Sequence, residues 1–293
     1  MYKKLVLNYR IIFKVIKLLI QKLARKYKKN VKINHGNCVV DFNEVLEFFV
    51  ESEIKASDKI FIHSSYKGLG KFQQKPNEII SLLKNFFGES GVLMFPAFTM
   101  KKSQYDTVKD GFVFDLENLK ITTGVLPGLA NKDPEFIRSL HPTHSVLAYG
   151  CDAFEATKSH GEDGSSTGVL SPFWYLVKEN GYVVNIGTDF NTMTLVHTFE
   201  EMYQEFFPIK TLSDLKKRVV VKNYGVSKTL LIKLFQPNLH FIRDVNVLKK
   251  YLSNDDFRYK KIGSGYVQII RAKAIFEGIE RMAEEGETIY GKY

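Results

Sequence analysis

The chain reads as an α/β protein, on two observations. Short apolar runs that stop at polar clusters recur along it, as buried strands do when they open into loops. Between them lie stretches with apolar residues at helical spacing, and strands that alternate with helices make an α/β fold.

From Asp41 the pattern is regular. "DFNEVLEFFVESEI" puts Phe42, Val45, Leu46, Phe49 and Val50 on one helical face, with Asp41 as N-cap. "KIFIHSS" is a buried strand that ends in a polar cluster, "KPNEIISLLKNFFG" a second helix closed by Gly88, and "GVLMFPAFT" a second strand ended at Pro96. "HSVLAYG" and "GYVVNIG" are strands, with "SPFWYLVKEN" a helix between them. After Pro208 the texture changes. "KKRVVVKN" and "SKTLLIKL" read as antiparallel edge strands, and "SGYVQIIRAKAIFEGIERMAEEG" leads into a final helix. No internal repeat or low-complexity linker divides residues 33–293, which read as one domain with a small C-terminal β/α addition.

Composition bounds the class. Apolar content of 44% and 13% aromatics suit a soluble globular core. Two cysteines, Cys38 and Cys151, give neither a disulfide framework nor a zinc quartet, so the expected compartment is a reducing cytoplasm. The net charge of +10 is local, because residues 1–32 hold eleven of the 42 Lys and Arg and no acid. The remainder sets 31 basic residues against 32 acidic ones, a net charge of −1.

That basic arm has helical spacing, with Ile12, Phe13, Ile16, Leu19, Ile20, Leu23 and Tyr27 on one face and Arg10, Lys14, Lys17, Lys22, Arg25 and Lys28 on the other. Basic residues interrupt its apolar runs too often for a membrane span, and it has no signal-peptide cleavage site. Two readings stay open: an amphipathic helix on the anionic inner membrane face, or a helix docked on the body or on a second subunit. Nucleic acid is not an expected partner, since the body carries no recognised binding motif.

Three stretches could carry chemistry. In "NTMTLVHTFEEMYQEFF" the apolar positions 195, 196, 199, 202, 206 and 207 suggest a helix, which sets Glu200 and Glu201 at i+3 and i+4 from His197. A carboxylate there would fix the imidazole tautomer and stabilise an imidazolium, as a general base requires. A partly buried helical histidine beside a solvated glutamate is the ordinary alternative. A zinc site would need a second histidine at i+4 or a cysteine pair, and neither is present. "IHSSYKGLGK" sets two hydroxyls and two glycines just past a strand, where they could hold phosphate or pantetheine oxygens or simply make a turn. "RSLHPTHSV" brackets a proline with His141 and His144, but no third metal ligand accompanies them. "GEDGSSTG" does not match the spacing of a serine-hydrolase elbow.

Taken in order, "IHSSYKGLG", "GVLMFPAFT", "TTGVLPGLANKDPEFIRSLHPTHSVLAYG", "GSSTGVLSPFWYLVKENGYVVNIG" and "MTLVHTFEE" resemble the aminoglycoside 3-N-acetyltransferase family. The resemblance implies a three-layer α/β/α sandwich and acetyl-CoA-dependent transfer to an amine on a sugar ring, with no metal. The family's T-x-x-H-x-x-E motif falls on Thr194, His197 and Glu200. His197 is then the base, Glu200 its orienting partner, and Thr194 a candidate donor to the thioester oxygen. The loop residues His63, Ser64, Ser65, Lys67 and Gly68 become the expected CoA contacts, and His144, Asp189 and Asn191 the expected acceptor contacts.

The sequence also departs from the drug-modifying members. Asn191 stands where an aspartate is common, carboxylates for a polycation are few, and the basic arm is foreign to them. The expected acceptor is therefore a nucleotide-linked amino sugar for cell-surface polysaccharide. The alternatives are an aminoglycoside, which would make the chain an antibiotic-resistance enzyme, and a catalytically silent binding module recruited by the arm. Oligomeric state is left open. Deleting residues 1–30 is expected to leave turnover of a small acceptor intact, because every landmark follows Asp41. Vesicle sedimentation should then show the loss of a salt-sensitive affinity for anionic lipid. If the deletion makes the protein insoluble instead, the arm is a docking helix.

Overall fold

Period-two burial organises the centre of the molecule, a computed structural model that describes residues 38–108 and 111–292. In the Lys59–Ser64 strand, Ile60 and Ile62 enter one apolar cluster and Phe61 the opposite one. The Val92–Pro96 strand divides in the same way, with Leu93 and Phe95 on one side and Val92 and Met94 on the other. Strands apolar on both sides need cover on both faces. Val45, Phe49, Ile79 and Leu83, from the Asn43–Glu51 and Pro76–Phe87 helices, join the first cluster. Phe173, Leu176, Ile275 and Ile279, from the Pro172–Lys178 and Ala272–Glu284 helices, join the second. Each such side chain contributes about 1.5–3 kcal/mol by leaving water.

The sheet has seven strands, in the order Phe257–Ile262, Gly265–Arg271, Tyr182–Ile186, Lys59–Ser64, Val92–Pro96, Val146–Gly150 and Ile137–Arg138. Its middle three strands are parallel and the outer pairings antiparallel. The strands read from the sequence are all present. The C-terminal segment is not a separate addition, however: its two strands extend the same sheet and its helix covers one face.

The Leu212–Asn223 and Val226–Phe235 strands pair antiparallel, as their alternation predicts, and Val113–Asp115 joins them in parallel to complete a second sheet. Phe114, Val219 and Ile232 form the core of that sheet. Two local expectations fail. Phe42, not Asp41, is the N-cap of the first helix, and the Asp41 carboxylate accepts the Asn43 N–H at 2.9 Å. The helix after His197 is short, spanning His197–Met202; Phe207 is buried beyond it, whereas Phe206 is 78% exposed. Among the described residues no helix is long and apolar enough to cross a membrane, and the arm at 1–32 lies outside them.

The parallel strands end together at Ser64, Pro96 and Ile186, with His63 in register with Asn185. The next loops press backbone against backbone. A Cβ on Gly68 would lie 2.0 Å from the Gly187 carbonyl oxygen, and Gly187 itself has φ 62°. Gly68→Ala is expected to cost about 1–3 kcal/mol through this clash. The check is the urea midpoint without ligand, and an unchanged midpoint would show that the loop yields.

Candidate active site

Just beyond Gly187, Asp189 caps the Phe190–Thr192 turn by accepting the Asn191 N–H at 2.8 Å. Met193, Leu195 and Val196 then bury themselves in the second core cluster, so the segment is anchored before it turns into the His197 helix. The Thr194 carbonyl accepts the His197 N–H at 3.1 Å. The imidazole is thereby fixed from its own backbone outward.

Each ring nitrogen has a partner. Nδ1 lies 2.8 Å from Glu200 Oε2, and that oxygen also accepts the Tyr290 hydroxyl at 2.9 Å. Nε2 lies 2.8 Å from Nη1 of Arg243, whose Nη2 donates to the Asn191 carbonyl at 2.5 Å. A guanidinium has only protons to offer, so Nε2 must accept and the ring proton must sit on Nδ1, facing Glu200. Glu200 is fully buried, and its Oε1 has no partner among the described residues. A carboxylate so poorly compensated gains strongly when the ring beside it becomes an imidazolium. With Arg243 in place, however, that imidazolium would face a guanidinium, at a repulsion of roughly 4 kcal/mol for ~4 Å and an effective dielectric of ~20.

Glu201, the other carboxylate within reach by spacing, faces away. It accepts from the Thr167 N–H at 2.6 Å, the Thr167 hydroxyl at 2.7 Å and the Ser166 N–H at 3.1 Å. Burial raises its pKa above the usual range, while these donors oppose the rise. Glu201 therefore fastens the 164–168 turn to the helix, and Glu200 alone serves the histidine.

His197 opens on a cleft of about 400 Å³, also lined by Lys101, Lys102, Gln104, His144, Phe235, His240, Arg243 and Tyr290. The Phe235 ring centroid lies 4.9 Å from that of His197. His144 is in the cleft as expected, with Nδ1 3.0 Å from the Thr143 hydroxyl. Burial, then the charges of His197, His160 and Arg243, hold its pKa down to about 3. It is a neutral wall.

The other expected contacts distribute differently. Asn191 lies outside this cleft: its Nδ2 donates to Asp189 at 3.0 Å and its Oδ1 accepts the Val245 N–H at 2.7 Å. It is committed to holding Arg243. Asp189, Ser65 and Gly68 line a second cleft of about 510 Å³ with Asn246, Lys249 and Gln268. His63 lies near the end of its strand and is buried, with its pKa brought down to about 3 by burial and by the charge of Arg243. Ser64 is half-buried and Lys67 exposed. Among the described residues no group of histidines, cysteines and acids could hold a metal. Arg243 and Tyr290 were not foreseen, since neither belongs to a motif and both lie far along the chain from His197.

A histidine thus stands between a buried carboxylate and a ligand-sized cleft, beside the ends of parallel strands, where α/β sheets place their ligands. The aminoglycoside 3-N-acetyltransferase family model matches residues 61–284, and the chain belongs to that family. Aminoglycoside N(3)-acetyltransferase III of Serratia marcescens is 29% identical over 160 residues, covering 50% of this chain and 59% of that protein. Aminoglycoside N(3)-acetyltransferase IX of Micromonospora chalcea is 26% identical over 183 residues, covering 58% and 65%. The chain thus spans less than two thirds of the length of either relative. Among solved structures, AAC-IIIb in binary complex with CoASH has a TM-score of 0.70 at 21% identity, covering 85% of this chain and 98% of that one. AAC-VIa bound to sisomicin has a TM-score of 0.69 at 18% identity, covering 84% and 98%. These two share the fold.

The histidines make stability depend on pH. Burial lowers the pKa of His63 and His144 to about 3 and that of His160 to about 4, and it holds His141 well below the usual imidazole value. In the unfolded chain each takes up a proton near pH 6.5, so the folded state loses stability as pH falls below that value. The loss is up to about 1.4 kcal/mol per pH unit for each histidine. Urea unfolding between pH 7.5 and 4.5 should show a steep decline, and His160→Gln should make it shallower. A flat profile would mean that these rings are protonated in the fold.

Proposed function

We propose that the chain transfers the acetyl group of acetyl-CoA to the amine of an amino sugar, with His197 as general base. The pairing of His197 with buried Glu200, in a chain of this family, carries the reading. An ammonium must lose a proton before it attacks an acyl carbon, so a base has to face the cleft. Nε2 of His197 takes that proton, and Glu200, steadied by Tyr290, stabilises the imidazolium from the Nδ1 side. The amine then bonds to the acyl carbon, the C–S bond breaks, and the proton held on His197 passes to the departing CoA thiolate. Acetyl-CoA supplies the activated acyl group. Ser65, Lys67, Asn246 and Lys249, in and beside the second cleft, offer hydroxyl, amide and ammonium groups suited to its phosphates. Gly68 lines that cleft too, although the Gly187 backbone alone already requires a glycine there. The Thr194 hydroxyl is the candidate donor to the developing oxyanion.

The relatives favour an aminoglycoside as acceptor over a nucleotide-linked sugar, since they carry that name and solved neighbours hold sisomicin or gentamicin. The buried His–Glu pair argues against a silent binding module. Release of free thiol from acetyl-CoA in the presence of an amino-sugar panel tests the reading. His197→Ala is expected to lower kcat by about a hundredfold or more with the fold retained. Glu200→Gln still accepts the Nδ1 proton but lacks the charge, and should lose about tenfold. Near-full kcat in His197→Ala would remove the base assignment.

A further inference from the structure

The cleft at His197 is basic. Lys101, Lys102 and Arg243 line it, and no Asp or Glu stands among its described lining residues. Half-buried Arg243 meets only neutral atoms, His197 Nε2 and the Asn191 carbonyl, with no carboxylate in ion-pair reach among the described residues. The neighbouring Asp244 turns its carboxylate to the Asn246 N–H at 3.1 Å. A guanidinium fork is matched far better by a carboxylate or phosphate than by an imidazole lone pair. The contact it does make occupies the one atom that must take the substrate proton, and it opposes the charge that His197 must acquire.

We propose that the acceptor is an amino sugar bearing a carboxylate or phosphate near its amine, and that this anion draws Arg243 off His197 Nε2. The base is then free only when the acceptor is seated. This rests on the N-acetyltransfer reading and narrows it. The phosphates of CoA are a different source of the same chemistry, but the pantetheine arm holds them far from the thioester, whereas Arg243 touches the base itself. A polycation, by contrast, would meet two lysines and an arginine, with no acid among the described lining residues to receive it.

The test compares kcat/KM for glucosamine 1-phosphate and 2-amino-2-deoxygluconic acid, whose anions are carried on the carbon next to the amine-bearing one, with that for glucosamine and kanamycin, using the full chain. The anionic acceptors should be favoured at least about tenfold, the scale of one charge-assisted hydrogen bond. Acetylpantetheine in place of acetyl-CoA should preserve that ratio; a ratio lost with the phosphate-free donor would assign Arg243 to CoA and overturn the proposal. Arg243→Gln should abolish the preference and move the rising limb of the pH profile for glucosamine upward, because the guanidinium no longer opposes protonation of His197. Glu200 and Tyr290 at Nδ1, His144 across the cleft and His63 near Arg243 stay in place in this comparison. If Arg243→Gln does not fold, Arg243→Lys keeps the charge without the fork and should retain only part of the preference.

A second readout needs no turnover. Inorganic phosphate added to the wild-type protein should raise the pH at which the His197 ring nitrogens titrate by NMR, and Arg243→Gln should remove the effect. If no amino sugar is acetylated while phosphate still moves His197, the transferase reading fails and the anion site stands. If kanamycin is preferred to every anionic acceptor, or if phosphate leaves the His197 resonances unmoved, the proposal is overturned.

Discussion

One hydrogen bond fixes the electronic state of the whole site. Because Arg243 can only donate, its contact with Nε2 places the proton of His197 on Nδ1, where Glu200 receives it. That tautomer is the one a base needs, with a lone pair facing the cleft and a carboxylate behind. It also explains Tyr290: a buried carboxylate with one unpartnered oxygen needs its other oxygen well held, and the Tyr290 hydroxyl does this at 2.9 Å. Three remote segments, around His197, Arg243 and Tyr290, are thus bound by a single chain of donors and acceptors.

The scaffold has to hold that chain to within a few tenths of an ångström. It begins with backbone. The Gly68–Gly187 contact locks the loop after one parallel strand against the loop after its neighbour, immediately before the segment that bears His197. Asn191 extends the lock, joining Asp189, Val245 and Arg243 through its amide and carbonyl. Asn191, an expected ligand contact, thus also frames the histidine. On the other flank, Glu201 performs the same service for the 164–168 turn.

What could be read from the sequence followed from short-range rules. Strands such as Lys59–Ser64 and Tyr182–Ile186 announced themselves as apolar runs, and His197 with Glu200 as a one-turn spacing. That spacing could not choose between Glu200 and Glu201, because the choice depends on whether the Ser166–Thr167 turn arrives to claim one of them. Arg243 and Tyr290 were illegible for a deeper reason. Each sits in irregular backbone with no period, 46 and 93 residues from the histidine it serves, and only the tertiary fold brings them together. The glycines of "YKGLGK" were ambiguous in sequence, since a close backbone approach and a phosphate cradle call for the same residue.

Family membership and cleft chemistry answer different questions. Membership accounts for the fold along residues 61–284. The acceptor is chosen by the groups around that pair, and these can change without disturbing it. The cations Lys101, Lys102 and Arg243 come from loops outside the sheet, where substitution leaves the core untouched. Placing them there also penalises the wrong partner, because a polycation would have to bring charge into a field of its own sign. On the proposed reading, a base masked by a cation adds a second filter, since only a ligand that binds the cation exposes the base. Selectivity then lies in the charge around His197 rather than in His197 itself.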